Sequence, residues 1–297
     1  MSSPIRQVSD TALWMAMYRA IESDRPDALF HDPCARRLAG PRGEAIMRSL
    51  PLAESLGWTI AVRTRIIDDA IARCVSQGAR TVVNLGAGLD TRAFRLGLPK
   101  SLRWIDVDLP ETIEHRVASL HGESATCEHT HLAVDLQTAG AGEIVGAAGR
   151  DAGGPVLMVS EGLLVYLMPS QVERIATQLH AEPAMRWWLT DLVTPLLSQM
   201  VGTFWRSALA GAPFCFAPAD NTAFFEPLGW HEREYRSIWD ESIRLERSVP
   251  FASLWTALGT LTFPALQQAF SRMSGVALLE RVDGLVRPVG GDAGPGG

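Results

Sequence analysis

Thr81 to Leu85 is a short apolar run that stops at Gly86-Ala87-Gly88, after which the chain turns polar at Asp90-Thr91. A run of that length bounded by glycine reads as a buried strand, and glycine lets the backbone turn sharply and lie closer to a neighbour than a Cβ would permit. Further strands are expected at Ala93–Leu98, Leu102–Val107, His131–Val134, Val156–Ser160 and Trp187–Leu192, with helices at Pro110–Leu120 and Ser170–Ala181 between them. Apolar strands alternating with helices give a parallel sheet covered on both faces. The fold class is therefore α/β, a doubly wound and mostly parallel sheet whose ligand lies at the carboxyl ends of the strands.

Helices flank this core. One is expected from Ser9 or Asp10 to about Glu22, with Leu13, Met17, Ala20 and Ile21 at helical spacing. Asp32-Pro33 reads as a cap and a first-turn proline with Gly40 as the stop, so His31 and Asp32 are given a capping rather than a catalytic role. A longer helix is expected from Ser55 to Gln77, ending at Gly78. Ile60, Ile67, Ala70, Ile71 and Cys74 share one of its faces, and so does Arg63. A charge on an apolar face either snorkels to water or meets an anion, and position alone leaves both readings open. Beyond Pro195 the chain is expected to be mostly helical and rich in Phe and Trp, with closing strands near Trp230–Tyr235 and Val276–Val282. The whole reads as one domain: a helical cap at 1–78, a core at 79–193, an insertion with closing strands at 194–289, and a disordered glycine-rich tail at 290–297.

Composition removes several classes of function. A net charge of −6 over 297 residues, with basic residues scattered, argues against a nucleic-acid partner. The chain has neither a signal-like apolar start nor an uninterrupted run of 18 apolar residues, which implies a cytoplasmic protein with no membrane partner. Cys34, Cys74, Cys127 and Cys215 are far apart, so neither a zinc site nor a disulfide framework is expected, and reduced thiols fit a cytoplasmic setting. His115, His121, His129 and His131 lie close in sequence but fit no zinc spacing, so no metal is expected.

The chemistry gathers at the ends of the strands. A dinucleotide fingerprint would place a third glycine at position 91, which is threonine; this weakens a nicotinamide or flavin reading. The second strand ends Asp106-Val107-Asp108-Leu109-Pro110, and an acid about 20 residues beyond a glycine loop is where such folds grip a ribose diol. Asp108, the outermost, is the better placed, although a capping role before Pro110 is compatible with it. Asp135 closes the third strand and Glu161 the fourth.

Taken together, these segments resemble the leucine carboxyl methyltransferase family, including its bacterial polyketide-type O-methyltransferase branch. The carrying segments are Tyr18 to Ser23, Asp32-Pro33, Ala61 to Arg65, Asn84 to Arg92, Asp106 to Pro110 and Glu161 to Leu167, with a weaker echo at Leu228 to Trp230. The resemblance implies a Rossmann-like class I methyltransferase that uses S-adenosyl-L-methionine. It implies that Arg63 pairs with the carboxylate of the methionine moiety, that Gly86, Gly88 and Asp90 form the cofactor loop, and that Asp108 takes the ribose hydroxyls. Asp135 and the Leu136 amide would hold the adenine edge, and Glu161 would line the methionine end. Tyr166 resembles a tyrosine facing the acceptor carboxylate; a core tyrosine is the other reading.

The expected reaction is O-methylation, forming a methyl ester on a small-molecule carboxylate of natural-product or polyketide type, in secondary metabolism. Phenol or alcohol methylation and a protein C-terminal carboxylate are the alternatives. A nicotinamide-dependent oxidoreductase and a non-catalytic cofactor-binding protein are the rivals. The acceptor pocket is expected under the N-terminal helices and the aromatic insertion, and nine tryptophans allow a flat acceptor to stack, although most belong to the core.

Overall fold

The structure is a computed structural model that describes residues 4–135, 144, 146–147, 153–248 and 270–283. Three helices come first: α1 (Val8–Ser23), α2 (Ala35–Ser49) and α3 (Ala53–Ser76). The core follows as β1 (Thr81–Leu85), the single-turn α4 (Arg92–Arg95), β2 (Arg103–Asp108), α5 (Pro110–Ser119), β3 (Glu128–Ala133), β4 (Val156–Ser160), α6 (Pro169–Ala181) and β5 (Met185–Val193). Then come α7 (Pro195–Phe204), β6 (Trp230–Ser237), α8 (Ile238–Arg244) and β7 (Ser274–Arg281). Proline opens α5, α6 and α7, where its fixed φ suits the first turn and its missing N–H goes unneeded.

The seven strands are ordered β3-β2-β1-β4-β5-β7-β6. The first five pair in parallel, and β7 lies antiparallel between β5 and β6. The order reverses between β1 and β4, so the loops leaving those two strands diverge and open a crevice at the carboxyl edge of the sheet.

Successive residues of each strand feed opposite faces. Val83, Met158 and Trp188 join one core, packed by Val172, Ile175 and Leu179 of α6. Val82, Leu157 and Trp187 join the other, packed by Val62, Ile66, Ile67, Ala70, Ile71 and Cys74 of α3. Four tryptophans (Trp104, Trp187, Trp188 and Trp230) are fully buried, which is the core role expected for most of them. A third cluster joins Trp14, Met17 and Tyr18 of α1 with Leu38 and Ile46 of α2 and with Trp205 and Leu209, and it forms a roof over the sheet edge.

Three local expectations are corrected. Ala93–Leu98 is not a strand: Phe94 N and Arg95 N both bond to Thr91 O, giving one helical turn. Gly40 does not stop α2. It sits at φ 55° and ψ −172° as a kink, and the helix resumes at Pro41. Asp32 does not cap α2 with its side chain, because the cap residue is Cys34 and makes no side-chain bond. The tail at 290–297 and the segment 249–269 lie outside the described residues, and no helix among those described is long and apolar enough to cross a membrane.

Candidate cofactor and acceptor site

A cavity of about 680 Å³ opens where β1 and β4 part. Arg63, Gly86, Gly88, Asp90, Asp108, Asp135, Glu161 and Tyr166 all line it, from five separate stretches of chain. Leu136 lies outside the described residues. The roof lies where it was expected, with α1, the first turns of α3, α7 and the stretch from Trp205 to Phe216 all contributing walls.

The glycine loop is held from below. Gly86 N and Ala87 N both donate to Val107 O, at 2.9 and 3.1 Å, which folds the loop over the end of β2. Gly86 has φ 65°, and a Cβ there would meet Leu163 Cδ1 at 2.9 Å, so any other residue would be strained at this φ and would displace the Leu163 side chain.

Asp106 and Asp108, two residues apart on β2, divide the work. Asp106 is saturated: Oδ1 accepts from Asn84 Nδ2 and Trp104 Nε1, both at 2.9 Å, while Oδ2 takes His129 Nε2 at 2.7 Å and an Arg116 nitrogen. Burial raises its pKa, but Arg116 and His129 outweigh burial and hold the carboxyl below the ordinary 3.8. Arg116 also donates to Gly88 O at 3.0 Å, tying the loop to this buried acid. Asp108 reaches the cavity, with Gly88 N on Oδ2 at 2.6 Å and Leu109 N on Oδ1 at 2.7 Å. Here burial wins over those bonds, and the pKa is raised.

Among the described residues, Asp106, His129 and His131 form one group whose possible ligand atoms lie within 4.8 Å of one another. Both Asp106 oxygens are already taken, one of them by the fixed charge of Arg116, which opposes a metal cation at that point.

At the other end Arg63 does meet anions, which settles the open question about its helix face. Its Nε donates to Glu161 Oε1 at 3.0 Å and its Nη1 to Asp191 Oδ2 at 2.9 Å. Glu161 Oε2 accepts from Arg92 Nη1 at 2.7 Å, and the same nitrogen donates to Asp90 Oδ2 at 2.6 Å. Arg92 Nε goes on to Asp68, which also holds Arg95. Burial pushes Asp90 and Glu161 up, yet Arg92 with Arg95 beside Asp90, and Arg92 with Arg63 beside Glu161, hold both below their ordinary values. The Asp90 carboxylate is thus spent inside the protein, on Arg92 and Asn84.

Tyr166 ends the 3-10 turn Leu164–Tyr166, with its ring edge-on to Phe214 at 5.7 Å. Burial raises its pKa and outweighs the opposing effect of a side-chain hydrogen bond with Thr11, so the phenol keeps its proton. Arg19 of α1 donates to Asp32 Oδ2 at 2.9 Å and to Leu89 O, and Thr91 Oγ1 donates to the same Asp32 oxygen at 2.6 Å. This joins the roof to the cofactor loop. Asp191, Arg92 and Arg19 were not singled out individually from the sequence, although Arg92 and Arg19 lie inside the recognised segments.

The family model of leucine carboxyl methyltransferases matches residues 12–180. A Parafrankia protein, assigned by inference as an S-adenosyl-L-methionine-dependent methyltransferase, is 34% identical over 267 residues, covering 82% of this chain and 83% of its own length. The chain belongs to the leucine carboxyl methyltransferase family. A relative from Streptomyces coelicolor, assigned in the same way, is 37% identical over 185 residues, 59% of this chain and 65% of that protein, just under two thirds of its length. S-adenosyl-L-methionine is accordingly the cofactor of this family member, and the chain is a methyltransferase. Its fold is similar to that of solved structures: a Thermobifida fusca protein assigned by inference as a methyltransferase matches with TM-score 0.57 at 12% identity, covering 94% of this chain and 96% of that one.

The residues present fit that group. Gly86 and Gly88 line the cavity, which pairs a carboxylate end at Asp108 and Asp135 with a guanidinium and carboxylate end at Arg63, Glu161 and Asp191. A ligand with hydroxyls at one end and a zwitterionic amino acid at the other meets complementary donors and acceptors at both.

Proposed function

We propose that this chain is an O-methyltransferase that forms a methyl ester on a small-molecule carboxylic acid. The observation that carries the reading is the set of side chains that line the cavity. Among the described residues lining the cavity there is no His, Lys or Cys. Asp90 and Glu161 are locked onto arginines and held ionised below the useful range. A phenol or alcohol needs a proton acceptor poised near neutral pH, whereas a carboxylate is ionised before it arrives.

In this reading Asp108 accepts from the ribose hydroxyls, Asp135 and Leu136 meet the adenine, and Gly86 and Gly88 let the backbone pass close to the donor. Arg63, whose Nη2 has no hydrogen-bond partner among the described residues, meets the methionine carboxylate with Glu161 beside it. Asp90 acts through Arg92, holding the loop in shape. The cofactor supplies an electrophilic methyl on a sulfonium. Transfer to a carboxylate would form one oxygen–carbon bond and break one carbon–sulfur bond, with the electron pair going to sulfur, and would leave no proton for the protein to move. What the protein contributes is alignment and exclusion of water. The protonated Tyr166 donates to the acceptor carboxylate, and apolar walls from Met15, Ile60, Leu197, Val201 and Phe214 hold the rest of the molecule. A cavity of about 680 Å³ suits a cofactor with a compact acceptor, which supports a small molecule over a protein tail.

Transfer of labelled methyl from S-adenosyl-L-methionine to a panel of aromatic and polyketide acids, run beside the matching phenols, tests this. The expected product releases labelled methanol in alkali. An alkali-stable ether on the phenols, with no ester, would overturn it.

A further inference from the structure

The buried charges around the ends of β4 and β5 do not balance. Arg63, Arg92 and Arg95 form one connected network with Asp68, Asp90, Glu161 and Asp191, so three guanidiniums face four carboxylates. One carboxylate is in surplus, and Asp191 is the acid of the four that Arg92 does not touch. Its only cation in this network is Arg63, which Glu161 already pairs. It is also firmly fixed: Oδ2 accepts from Arg63 at 2.9 Å and Oδ1 from Gly162 N at 2.6 Å. Its side chain is 16% exposed, and the residue lines the cavity. Fixed charges that are only partly exposed act on a ligand with less screening by salt than surface charges do.

Resting on the methyltransferase reading above, the surplus has a chemical meaning. The methyl donor carries a sulfonium, an ammonium and a carboxylate, for a net charge of +1. Its demethylated product, S-adenosylhomocysteine, is a thioether and has no net charge. We propose that Asp191 is the specificity residue that makes this site favour the sulfonium donor over the thioether product. When the methyl leaves, the electron pair left on sulfur cancels the sulfonium charge, and the surplus carboxylate loses its counter-charge as the product forms. The same balance acts on the acceptor: an incoming carboxylate meets a site one unit less negative when the donor is bound than when the product is bound. Acceptor binding then follows the donor, and an unproductive complex of acceptor with product is disfavoured.

Calorimetric titration with S-adenosylmethionine, S-adenosylhomocysteine and sinefungin, which has an amine in place of the sulfonium, reads this directly. In Asp191→Asn the affinity for S-adenosylmethionine and sinefungin should fall about tenfold while that for S-adenosylhomocysteine changes less than about threefold. Asp191→Glu should keep the wild-type ratio. Retained binding of S-adenosylhomocysteine shows that the variant is folded. Equal weakening of all three ligands, or of none, would overturn the inference. The wild-type chain gives a second test that needs no variant: sinefungin should bind about tenfold more tightly than S-adenosylhomocysteine, and equal affinities would contradict the role of Asp191. If the wild-type chain binds none of the three, the methyltransferase reading fails, not this inference alone.

Discussion

Asp106 and Asp108 show how two acids on one strand face take different fates. Their spacing was readable, as was the advantage of the outermost position; the saturation of Asp106 by Asn84, Trp104, Arg116 and His129 was not, because its partners come from four different stretches. Asp108→Ala should abolish S-adenosylhomocysteine binding by calorimetry, and unchanged binding would contradict the ribose role. Asp191 was invisible for a similar reason. It sits in an apolar strand, and its partner Arg63 is 128 residues away. The pH dependence of stability belongs at this scale too. Burial and then His129 push His131 down to about 4 from its ordinary 6.5, with Arg116 adding to the shift and Asp106 opposing it. Its Nδ1 is buried with no partner, so the folded chain keeps the ring neutral while the unfolded chain protonates it. The unfolded state therefore binds more protons in that window, and stability falls as pH drops from about 6.5 to about 4. Asp90 and Glu161 act lower: their contribution is whole above the ordinary carboxylate values and is lost as pH falls beneath them. Chemical denaturation across pH should show the upper limb in the wild type and lose it in His131→Gln; an identical limb in the variant would contradict the assignment.

Among the elements, those with a full period were legible. The long helix α3 and the strands β1, β4 and β5 lie within a few residues of where the apolar pattern put them. Failures came where one turn of chain mimics another pattern. Phe94, Leu96 and Leu98 alternate like a strand, but the polar turn before them starts a helix that ends after four residues. Asp32-Pro33 has the grammar of a cap, yet the fully buried Asp32 side chain is drawn to Arg19 and Thr91. That latch joins α1 to the cofactor loop and explains why Tyr18-Arg19 and Asp32-Pro33 stood out with no evident chemistry of their own. Asp32→Ala leaves Arg19 without its carboxylate and should cost about 3 kcal/mol, a fall in Tm of roughly 5–10 °C. Hydrogen exchange should quicken in 8–23 and 86–95 together, and faster exchange in only one of them would show that the two are not coupled.

At the scale of the molecule, the reversal of strand order between β1 and β4 places the site, and the three cores keep its walls rigid. The doubly wound class could be read from alternation alone, because a buried parallel sheet leaves near-continuous apolar runs. The acceptor half could not, since its walls come from α1, α3, α7 and the stretch beyond Trp205, and meet only on folding. The central claim is that this pocket methylates an oxygen already ionised in solution and supplies no base. Single-turnover methyl transfer to a carboxylic acid, measured from about pH 6 to about pH 9, tests that claim most directly. The rate should be level across the range; a rate rising tenfold per pH unit through neutrality would reveal a proton acceptor and contradict it.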